Sequence, residues 1–403
     1  MEIGGHQVND AMFSYIAQNA TADCYKLLLK DEPNLSFDKS FAVTQIECRR
    51  KTKDKLSEIL ANDHFLFPTA ISAEQCTHEI VAKFHASLFS PGDKVLDMTM
   101  GLGVDSYYIS QQVAELTCVE LNPLIASVGK HNFSLLNPKV KVINGNSADY
   151  ITSENMSHYD AIFIDPARRE ETGKRVHGFD DCQPKVLELI PYIARCTNKL
   201  YIKASPMLDV TQAIRVLGMA LSHVWAVSVK NECKELLFCL NFKFNVDCIT
   251  IHALNYNGKW DEFVIGSEEA SVAVPSLSPR PEHFLYEPNA SIMKLGCYDA
   301  VAGHFGISPI STNSHLFVSE KPIEDFPGRV FKINDLIQFK EREFKHLRKR
   351  YKKANVSTRN FAINAQQLKR RLRLDDGGDV YIFGTTLSSG EMVLLVTEKF
   401  GKS

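Results

Sequence analysis

Short apolar runs alternate with amphipathic stretches through the middle of the chain. The runs are candidate strands, and they lie at 94–97, 116–121, 140–143, 159–164 and 199–203. Stretches with the period of an α-helix separate them, over 104–113, 123–136, 184–195 and 209–220. This alternation predicts a parallel, doubly wound α/β sheet.

Two further apolar runs, at 224–229 and 236–240, end this section of the chain. They are too close together for a crossover helix, so we expect them to pair as an antiparallel hairpin. Together with the five alternating strands they predict a Rossmann-like seven-stranded sheet. A helix that begins at Ala73 and ends near Ser90 should lead into the sheet.

The sections on either side of this core have different patterns. Residues 1–72 mix apolar and charged positions at helical spacing, which predicts an N-terminal helical module for packing or docking. The core should occupy 73–246. Residues 247–327, which include a proline-rich stretch, indicate a linker and an α+β subdomain, and 328–403 combine a strand, a very basic segment and a hairpin-like end. A chain of 403 residues is long enough for such a division into domains.

Composition narrows the class of protein. The chain is 44% hydrophobic and carries a formal net charge of −2, as expected for a globular protein. Its N-terminus lacks the basic and apolar regions of a signal peptide, and no apolar run is long enough to span a membrane. The ten cysteines contain no Cys-x-x-Cys and no zinc-like spacing, so we expect reduced thiols, no metal and a cytoplasmic location.

The first motif with chemistry follows the first strand. Asp97, Thr99, Gly101 and Gly103 occupy alternate positions between this strand and the next helix. Glycines allow a sharp backbone turn and let a ligand approach the backbone closely. The start of the following helix offers unpaired N–H groups to a carboxylate or phosphate. A tight structural turn remains the alternative explanation for the glycines alone.

An acidic residue at the tip of the second strand strengthens the ligand interpretation. Glu120 lies about 20 residues after the glycine loop, where a carboxylate can hold both hydroxyls of a ribose. Dinucleotide dehydrogenases share these two features. They usually have a third glycine, however, at a position that Ser106 occupies here, and they do not need the acid at Asp97.

Two more polar loops follow strands of the predicted sheet. After the third strand, Gly145–Asp149 ends in a carboxylate that can accept a hydrogen bond from an adenine amino group, although Ser147 or Asp149 could instead cap a helix. After the fourth strand, Asp165-Pro166 should face the ligand, because ligands of open α/β sheets bind outside the carboxyl ends of the strands. A strand-ending turn is the alternative there.

Together, these motifs resemble those of class I S-adenosylmethionine-dependent methyltransferases. The resemblance implies that S-adenosylmethionine is the cofactor and that the α/β core is a seven-stranded methyltransferase sheet. It also implies roles for individual residues. The expected cofactor-binding residues are Asp97, Thr99, Gly101 and Gly103 for the methionine half, Glu120 and Asn122 for the ribose, and Asp149 for the adenine.

The loop after the fourth strand is similar to the Asp/Asn-Pro-Pro-aromatic signature of enzymes that methylate amino nitrogens. A carboxylate and a rigid backbone carbonyl can hold the protons of such a nitrogen and aim its lone pair, and geometry supplies much of this kind of catalysis. Asp165, Pro166 and Arg168 are therefore the expected catalytic residues. Ala167 replaces the second proline and Arg168 replaces the aromatic, so an arginine plane would stack on a base or clamp a phosphate here.

The segments on either side of the core extend the resemblance. Leu66–Ala70 and Ser72–Gln75, together with the mixed C-terminal part, are similar to a bacterial group of methyltransferases that carry a THUMP-like C-terminal domain. THUMP domains in general bind RNA. The resemblance therefore implies an RNA partner, ribosomal or transfer RNA, for a THUMP-like domain at 328–403.

The charge of residues 340–373 agrees with an RNA partner. They hold 13 Lys or Arg against two Glu, a local charge of +11 in a chain of net −2, which leaves about −13 for the rest. A cluster of charges that are nearly all positive is typical of a phosphate-binding surface, and a solvated helix face is the alternative. The expected RNA-binding residues are Arg348, Lys349, Arg350, Lys352, Lys353, Lys369, Arg370 and Arg371.

The sequence therefore predicts methyl transfer to an amino nitrogen of ribosomal or transfer RNA. A protein or small-molecule substrate is one alternative. The other is a binding module that keeps the cofactor fold without turnover, which the altered Asp-Pro-Ala-Arg motif makes reasonable.

Overall fold

The computed structural model describes residues 1–153, 157–168, 178–179, 182–243, 248–266 and 277–401. The chain forms two compact units. Met1–Ser222 and Leu237–Asp247 make up the first, and His223–Leu236 and Cys248–Ser403 make up the second. The chain therefore passes between the two units three times, after residues 222, 236 and 247.

The N-terminal part of the first unit is helical, as predicted. Its helices are α1 (Asp10–Gln18), α2 (Cys24–Leu29) and α3 (Lys39–Thr52), with a short 3-10 turn at Ile59–Ala61 and two antiparallel strands at Glu2–Ile3 and His6–Gln7. The side chains of Asn9, Asp23 and Asp38 cap the three helices by accepting hydrogen bonds from first-turn N–H groups. Buried apolar side chains, among them Met12 and Phe41, pack these helices together.

The seven predicted strands are confirmed, and they lie side by side in a sheet of nine strands. The seven strands are β1 (Lys94–Asp97), β2 (Glu115–Glu120), β3 (Lys141–Asn144), β4 (Ala161–Ile164), β5 (Lys199–Ala204), β6 (Leu221–Val229) and β7 (Glu232–Asn241). Their order is β3-β2-β1-β4-β5-β7-β6. The pairs β1–β2, β2–β3, β1–β4 and β4–β5 are parallel. The carboxyl ends of these five strands consequently meet at one edge of the sheet.

The helices of this core are α4 (Ala70–Gln75), α5 (Glu79–Ala86), α6 (Val104–Gln112), α7 (Pro123–Leu136), α8 (Ser147–Thr152), α9 (Val186–Cys196) and α10 (Val210–Leu217). A short antiparallel pair joins Ala167–Arg168 to Cys182–Gln183. The connection between β6 and β7 is two residues, Lys230 and Asn231, both with positive φ. This is the backbone of a tight turn that matches the twist of an antiparallel hairpin, as predicted.

Two predicted helices in this unit have different bounds in the structure. The single helix expected from Ala73 to Ser90 is wrong, because α4 and α5 are separate and Cys76–His78 breaks them. His78 caps α5, and the break directs Thr77 into the core. The helix expected at 209–220 ends earlier, at Leu217, where Gly218 takes a φ of 66° before a 3-10 turn at Gly218–Ala220.

In the second unit, two strands extend the hairpin. β8 (Thr250–Tyr256) pairs in parallel with β6, and β9 (Trp260–Gly266) pairs antiparallel with β8. A second sheet contains β10 (Phe284–Pro288), β11 (Ser308–Pro309), β12 (Phe317–Ser319), β13 (Gly328–Gln338), β14 (Asn355–Arg359), β15 (Val380–Thr386) and β16 (Met392–Lys399). Its order is β11-β12-β10-β13-β16-β15-β14.

The helices of the second unit complete the α+β region. They are α11 (Ala290–Leu295), α12 (Tyr298–Phe305), α13 (Glu341–Arg350) and α14 (Ala365–Leu372). Gly296 adopts a left-handed conformation that ends α11, and α12 begins two residues later. The hairpin-like end is confirmed as the antiparallel pair β15–β16.

Candidate active site

Asp97 ends β1, and its side chain is buried, with 1% of the residue exposed. Its Oδ1 accepts a hydrogen bond from the Thr99 amide at 2.9 Å, and its Oδ2 accepts one from the Ser106 hydroxyl at 2.5 Å. Burial raises the pKa of Asp97 to about 7, although the hydrogen bonds from Ser106 and Thr99 oppose that rise. The carboxyl group therefore ties the loop after β1 to the start of α6.

The two glycines of this loop both have positive φ, 55° at Gly101 and 84° at Gly103. A Cβ at Gly103 would lie 3.0 Å from the Phe133 ring, so that position requires glycine on two grounds. At Gly101 a Cβ would have no neighbour nearer than the Thr99 carbonyl oxygen, at 4.0 Å. Gly101 thus presents bare backbone beside open space.

Glu120 ends β2 and stabilises two loops with its carboxylate. Its Oε2 accepts a hydrogen bond from the Gly101 amide at 2.9 Å, and its Oε1 accepts one from the Asn122 amide at 2.8 Å. Each carboxylate oxygen has a second lone pair for a ligand. Asn122 uses its own side chain to cap α7, where Oδ1 accepts hydrogen bonds from the amides of Leu124 and Ile125.

The loop after β3 leaves an acidic side chain exposed. Asn146 caps α8 by accepting a hydrogen bond from the Ala148 amide, so the cap belongs to neither Ser147 nor Asp149. Asp149 lies exposed in the first turn of α8. Leu121, which follows Glu120 at the end of β2, is 61% exposed. This exposed apolar side chain was not predicted as a site residue from the sequence.

Asp165 follows β4, all of whose residues are buried. The Asp165 amide donates a hydrogen bond to the Thr99 hydroxyl at 2.7 Å, so Thr99 connects the loops after β1 and β4. The Asp165 side chain is 41% exposed, and its Oδ2 lies 2.8 Å from Nζ of Lys203. Pro166 is buried. The side chain of Arg168 lies outside what the structure describes.

The side chain of Asp165 contacts a buried network of polar side chains. The residues of this network were not predicted from the sequence. Lys203, near the end of β5, donates hydrogen bonds to Asp165 and to Thr77, and Thr77 donates one to Oδ2 of Asp105 at 2.5 Å. The Oδ1 of Asp105 lies 2.8 Å from Nδ1 of His85. Burial alone would raise the pKa of Asp105, but the charges of Lys203 and His85 outweigh it and hold that pKa well below its ordinary value.

The basic residues of the C-terminal section separate into two groups. Four make contacts within their own unit: Arg348 donates to the carbonyl oxygens of Leu372 and Arg371, Arg350 pairs with Asp335, Lys369 pairs with Asp376, and Arg371 pairs with Glu341. The other four are Lys349, Lys352, Lys353 and Arg370, which are exposed and have no ion pair among the described residues. Phe344 is buried, and Tyr351 and Phe361 pack beside it in a core cluster.

Within the described ranges, no three His, Cys, Asp or Glu side chains converge as ligands for a metal ion. The described helices also include none that is long and apolar enough to cross a bilayer.

Known proteins resemble this chain along nearly all of its length. A crystal structure from Porphyromonas gingivalis W83, described as that of a proposed methyltransferase, superposes with a TM-score of 0.87 and 28% sequence identity, covering 97% of this chain and 98% of that one. An uncharacterized S-adenosylmethionine-dependent methyltransferase of Mycobacterium tuberculosis is 21% identical over 354 residues, which are 85% of this chain and 92% of the relative.

Family models match the C-terminal section. Residues 284–327 match a ferredoxin-like domain, and residues 328–399 match a THUMP domain-like family.

A seven-stranded sheet in this order, with acidic and glycine loops at the carboxyl ends of its strands, defines the class I methyltransferase fold. The chain is an S-adenosylmethionine-dependent methyltransferase with a THUMP-like C-terminal domain. The resemblance that the motifs suggested is confirmed.

Proposed function

We propose that this enzyme methylates an amino nitrogen of ribosomal or transfer RNA. The observation that carries the proposal is the Asp165 carboxylate, which stands half-exposed at the end of β4 with one oxygen held by Lys203. A fixed acceptor at this strand end suits a nucleophile with N–H protons to bind. A hydroxyl or carbon nucleophile would make less use of it.

The residues at the ends of β1, β2 and β3 fit S-adenosylmethionine. Gly101 offers bare backbone for the methionine half, and Gly103 sets the turn that brings the start of α6 toward it. Glu120 has lone pairs left for the ribose hydroxyls, and Asp149 is exposed for the adenine amino group. Leu121 adds an apolar surface on which the adenine ring can pack.

In this proposal, the side chains of three expected cofactor-binding residues do not contact the cofactor directly. The side chains of Asp97, Thr99 and Asn122 are used within the protein, where they hold the loop after β1, the loop after β4 and the start of α7. They shape the pocket, and their backbone groups rather than their side-chain oxygens would lie nearest to the cofactor.

The cofactor, when bound, supplies an electrophilic methyl group on a sulfonium centre. The second carboxylate oxygen of Asp165 and the backbone carbonyl of Pro166 would accept hydrogen bonds from the two N–H groups of the substrate amino group and so orient its lone pair. Methyl transfer would leave the cofactor as a neutral thioether and the nitrogen positively charged, and Asp165 would accept the proton that the nitrogen then releases. Arg168 is a candidate for stacking on the base or holding a phosphate.

The THUMP-like section supports RNA as the substrate class. The exposed cations Lys349, Lys352, Lys353 and Arg370 lie within one segment, and each can contact a phosphate group. Arg348, Arg350, Lys369 and Arg371 support this surface through contacts inside the unit. The main role of these four residues is therefore structural, and a contact with RNA would be an additional role.

A labelling experiment tests the proposal. Cofactor with a labelled methyl group is incubated with the protein and total RNA from cells that lack it, and labelled nucleosides are identified by mass spectrometry. We expect label on an amino nitrogen in one RNA size class, with Asp165→Asn strongly reduced. Label in protein or small molecules but not in RNA would refute the proposed substrate. Binding of cofactor without label in any pool would favour a non-catalytic module.

The ribose assignment has its own test. Glu120→Ala should weaken binding of S-adenosylmethionine, because it removes the acceptors for both hydroxyls and releases the Gly101 loop. Glu115→Ala, at the opposite end of β2, is the matched control and should bind normally. Equal affinity for the two variants, measured by calorimetric titration, would rule out the assignment of Glu120.

A further inference from the structure

A lysine lies behind the carboxylate of the proposed catalytic motif. Lys203 is 8% exposed and stands one residue before the end of β5, the strand that pairs in parallel with β4. Its ammonium group has three N–H donors. The Oδ2 of Asp165 lies at 2.8 Å, the Thr77 hydroxyl at 2.7 Å and the Oδ2 of Asp105 at 3.4 Å, so every donor has an acceptor.

The partners of Lys203 are themselves fixed. The Thr77 hydroxyl accepts from Lys203 and donates its proton to Asp105, so it orients both groups. His85, which is fully buried, holds the other oxygen of Asp105. Three separate segments, α5 with the break before it, α6 and β5, thus converge on one ammonium group. The ammonium group in turn reaches the half-exposed Asp165.

The charges in this network explain why a cation is required. Asp165 and Asp105 are carboxylates that share Lys203, and Asp97 lies close enough to both to interact electrostatically. A buried carboxylate without a paired cation is costly, and neighbouring carboxylates repel one another. Lys203 is therefore placed to offset negative charge on both Asp105 and Asp165.

We propose that Lys203 is the positioning residue of the methyl-transfer site. Its ammonium group holds the Oδ2 of Asp165 and thereby turns Oδ1 toward the substrate amino group, while Thr77 and Asp105 hold the ammonium group in place. The inference rests on the proposed function of Asp165. It adds that the side chain of Asp165 is not aimed by its own loop alone. A residue 38 positions further along the chain aims it.

Kinetics of three single variants test this role. Lys203→Met keeps the length and apolar stem but loses the charge, and we expect kcat to fall about 100-fold because a misplaced acceptor costs orientation. The KM for RNA and the affinity for S-adenosylmethionine should not change, because Lys203 contacts neither in this proposal. Lys203→Arg should recover part of the kcat. Lys199→Met, at the exposed start of the same strand, is the matched control and should behave as wild type.

A double variant separates positioning from simple stabilisation. Lys203→Met alone leaves Asp105 with one fewer positive partner and is expected to lower the melting temperature. Lys203→Met combined with Asp105→Asn removes one charge of each sign and should recover the melting temperature, while kcat stays low. Recovery of kcat in the double variant would overturn the proposal, because Lys203 would then serve only to balance Asp105.

Failure of this inference can be told apart from failure of the proposed substrate. If wild type labels protein or small molecules rather than RNA, the substrate proposal fails and the same variants are compared on the labelled substrate. If nothing is labelled, crystal structures of wild type and the double variant test whether Lys203 positions the Asp165 carboxylate. We expect the Asp165 carboxylate to leave its position in the double variant while the backbone of β4 and β5 is unchanged. An unmoved carboxylate, or wild-type kcat in Lys203→Met, overturns the inference.

Discussion

The carboxyl group of Asp97 is buried and that of Asp105 is partly buried, yet their pKa values shift in opposite directions. Burial raises the pKa of Asp97 to about 7, because its hydrogen-bond donors, the Thr99 amide and the Ser106 hydroxyl, are neutral. Burial also acts on Asp105, but Lys203 and His85 outweigh it and lower that pKa. The presence of a cation therefore decides the direction in which each pKa shifts.

This difference predicts how stability depends on pH. Asp97 has a higher pKa in the folded protein than in the unfolded chain, so its contribution to stability is complete below the unfolded value and is lost as pH rises through about 7. Asp105 behaves in the opposite way, and its contribution is lost only as pH falls below the ordinary range of an aspartate. Between pH 5 and 8 the effect of Asp97 can thus be separated from that of Asp105.

The variant Asp97→Asn tests this prediction. It keeps an acceptor for Thr99 but cannot ionise, so the fall in unfolding free energy between pH 5 and 8 should be smaller than in wild type, by on the order of a few kcal/mol. Urea titrations at the two pH values give the free energies. Parallel pH dependence of the two proteins would contradict a raised pKa for Asp97.

Single positions differ in how well the sequence predicts them. Asp97, Glu120 and Asp165 could be selected because each ends an apolar run, and strand ends of a parallel sheet meet at one edge. Lys203 also ends such a run. Its partner Thr77, however, is 126 positions away and lies in a helix break that helical periodicity does not reveal. Contacts of this kind depend on tertiary packing.

At the level of elements, the loop between β1 and α6 depends on one glycine. Gly103 is the left-handed cap of α6, and a Cβ there would press on the Phe133 ring of α7 at 3.0 Å. Gly103→Ala should lower stability by about 1–3 kcal/mol, from left-handed strain and the contact together. It should also weaken cofactor binding by displacing the loop.

Gly92→Ala provides the control for this substitution. Gly92 has no heavy atom within 4 Å of the position that a Cβ would take, and its φ is not positive. The two variants are compared by thermal unfolding and by cofactor titration. A Gly103→Ala protein as stable as Gly92→Ala would show that the loop adapts at little cost.

The helices α13 and α14 show why a basic run should not be treated as one surface. Arg348 lies on α13 and donates to the carbonyl oxygens of Arg371 and Leu372 at the end of α14, a contact that satisfies groups with no partner inside the helix. Arg348→Ala should therefore lower the unfolding free energy by about 1 kcal/mol. Lys349→Ala, one residue further on and exposed, should leave it unchanged.

Circular dichroism during urea unfolding distinguishes these two variants. Equal stability would mean that the Arg348 contacts contribute nothing in solution. The comparison also decides how the proposed RNA binding should be tested, since a charge reversal at Arg348 would change the charge of the proposed RNA-binding surface and disturb the end of α14 at the same time.

Helix bounds were predictable where the local sequence carries the signal. Asn122 and Pro123 begin α7 at the expected residue, because a side-chain cap followed by proline is a strong start signal. The break between α4 and α5 was missed because no glycine or proline marks it. It is stabilised instead by Thr77, whose hydroxyl lies between Lys203 and Asp105.

For the molecule as a whole, the sequence predicted the seven-stranded sheet but not the extent of the second unit. The hairpin β6–β7 was expected to end the core, whereas the tip of the hairpin belongs to the second unit and β8 pairs with β6 in parallel. Strand periodicity shows that a strand exists. It does not show which strand of the sheet a later strand will pair with, as β8 does with β6.

The charge distribution leads to the last prediction, which concerns RNA binding by the complete protein. Lys349, Lys352 and Lys353 are exposed and outside any ion pair among the described residues. Each cation that neutralises a phosphate releases condensed counterions. Replacing all three by alanine should reduce the slope of log affinity against log salt concentration by roughly 2 to 3, in proportion to the number of phosphates that the variant no longer neutralises.

The control for this triple variant is a second one that removes the same charge elsewhere. Lys130, Lys199 and Lys259 are exposed lysines outside the basic segment, and their replacement changes net charge equally. Binding of labelled RNA is measured by fluorescence anisotropy at several salt concentrations for both variants. If the basic segment contacts phosphates, only its own variant shows a smaller slope, because the effect follows local contacts rather than net charge. If both variants keep the wild-type slope, the segment is a solvated face and RNA binds elsewhere.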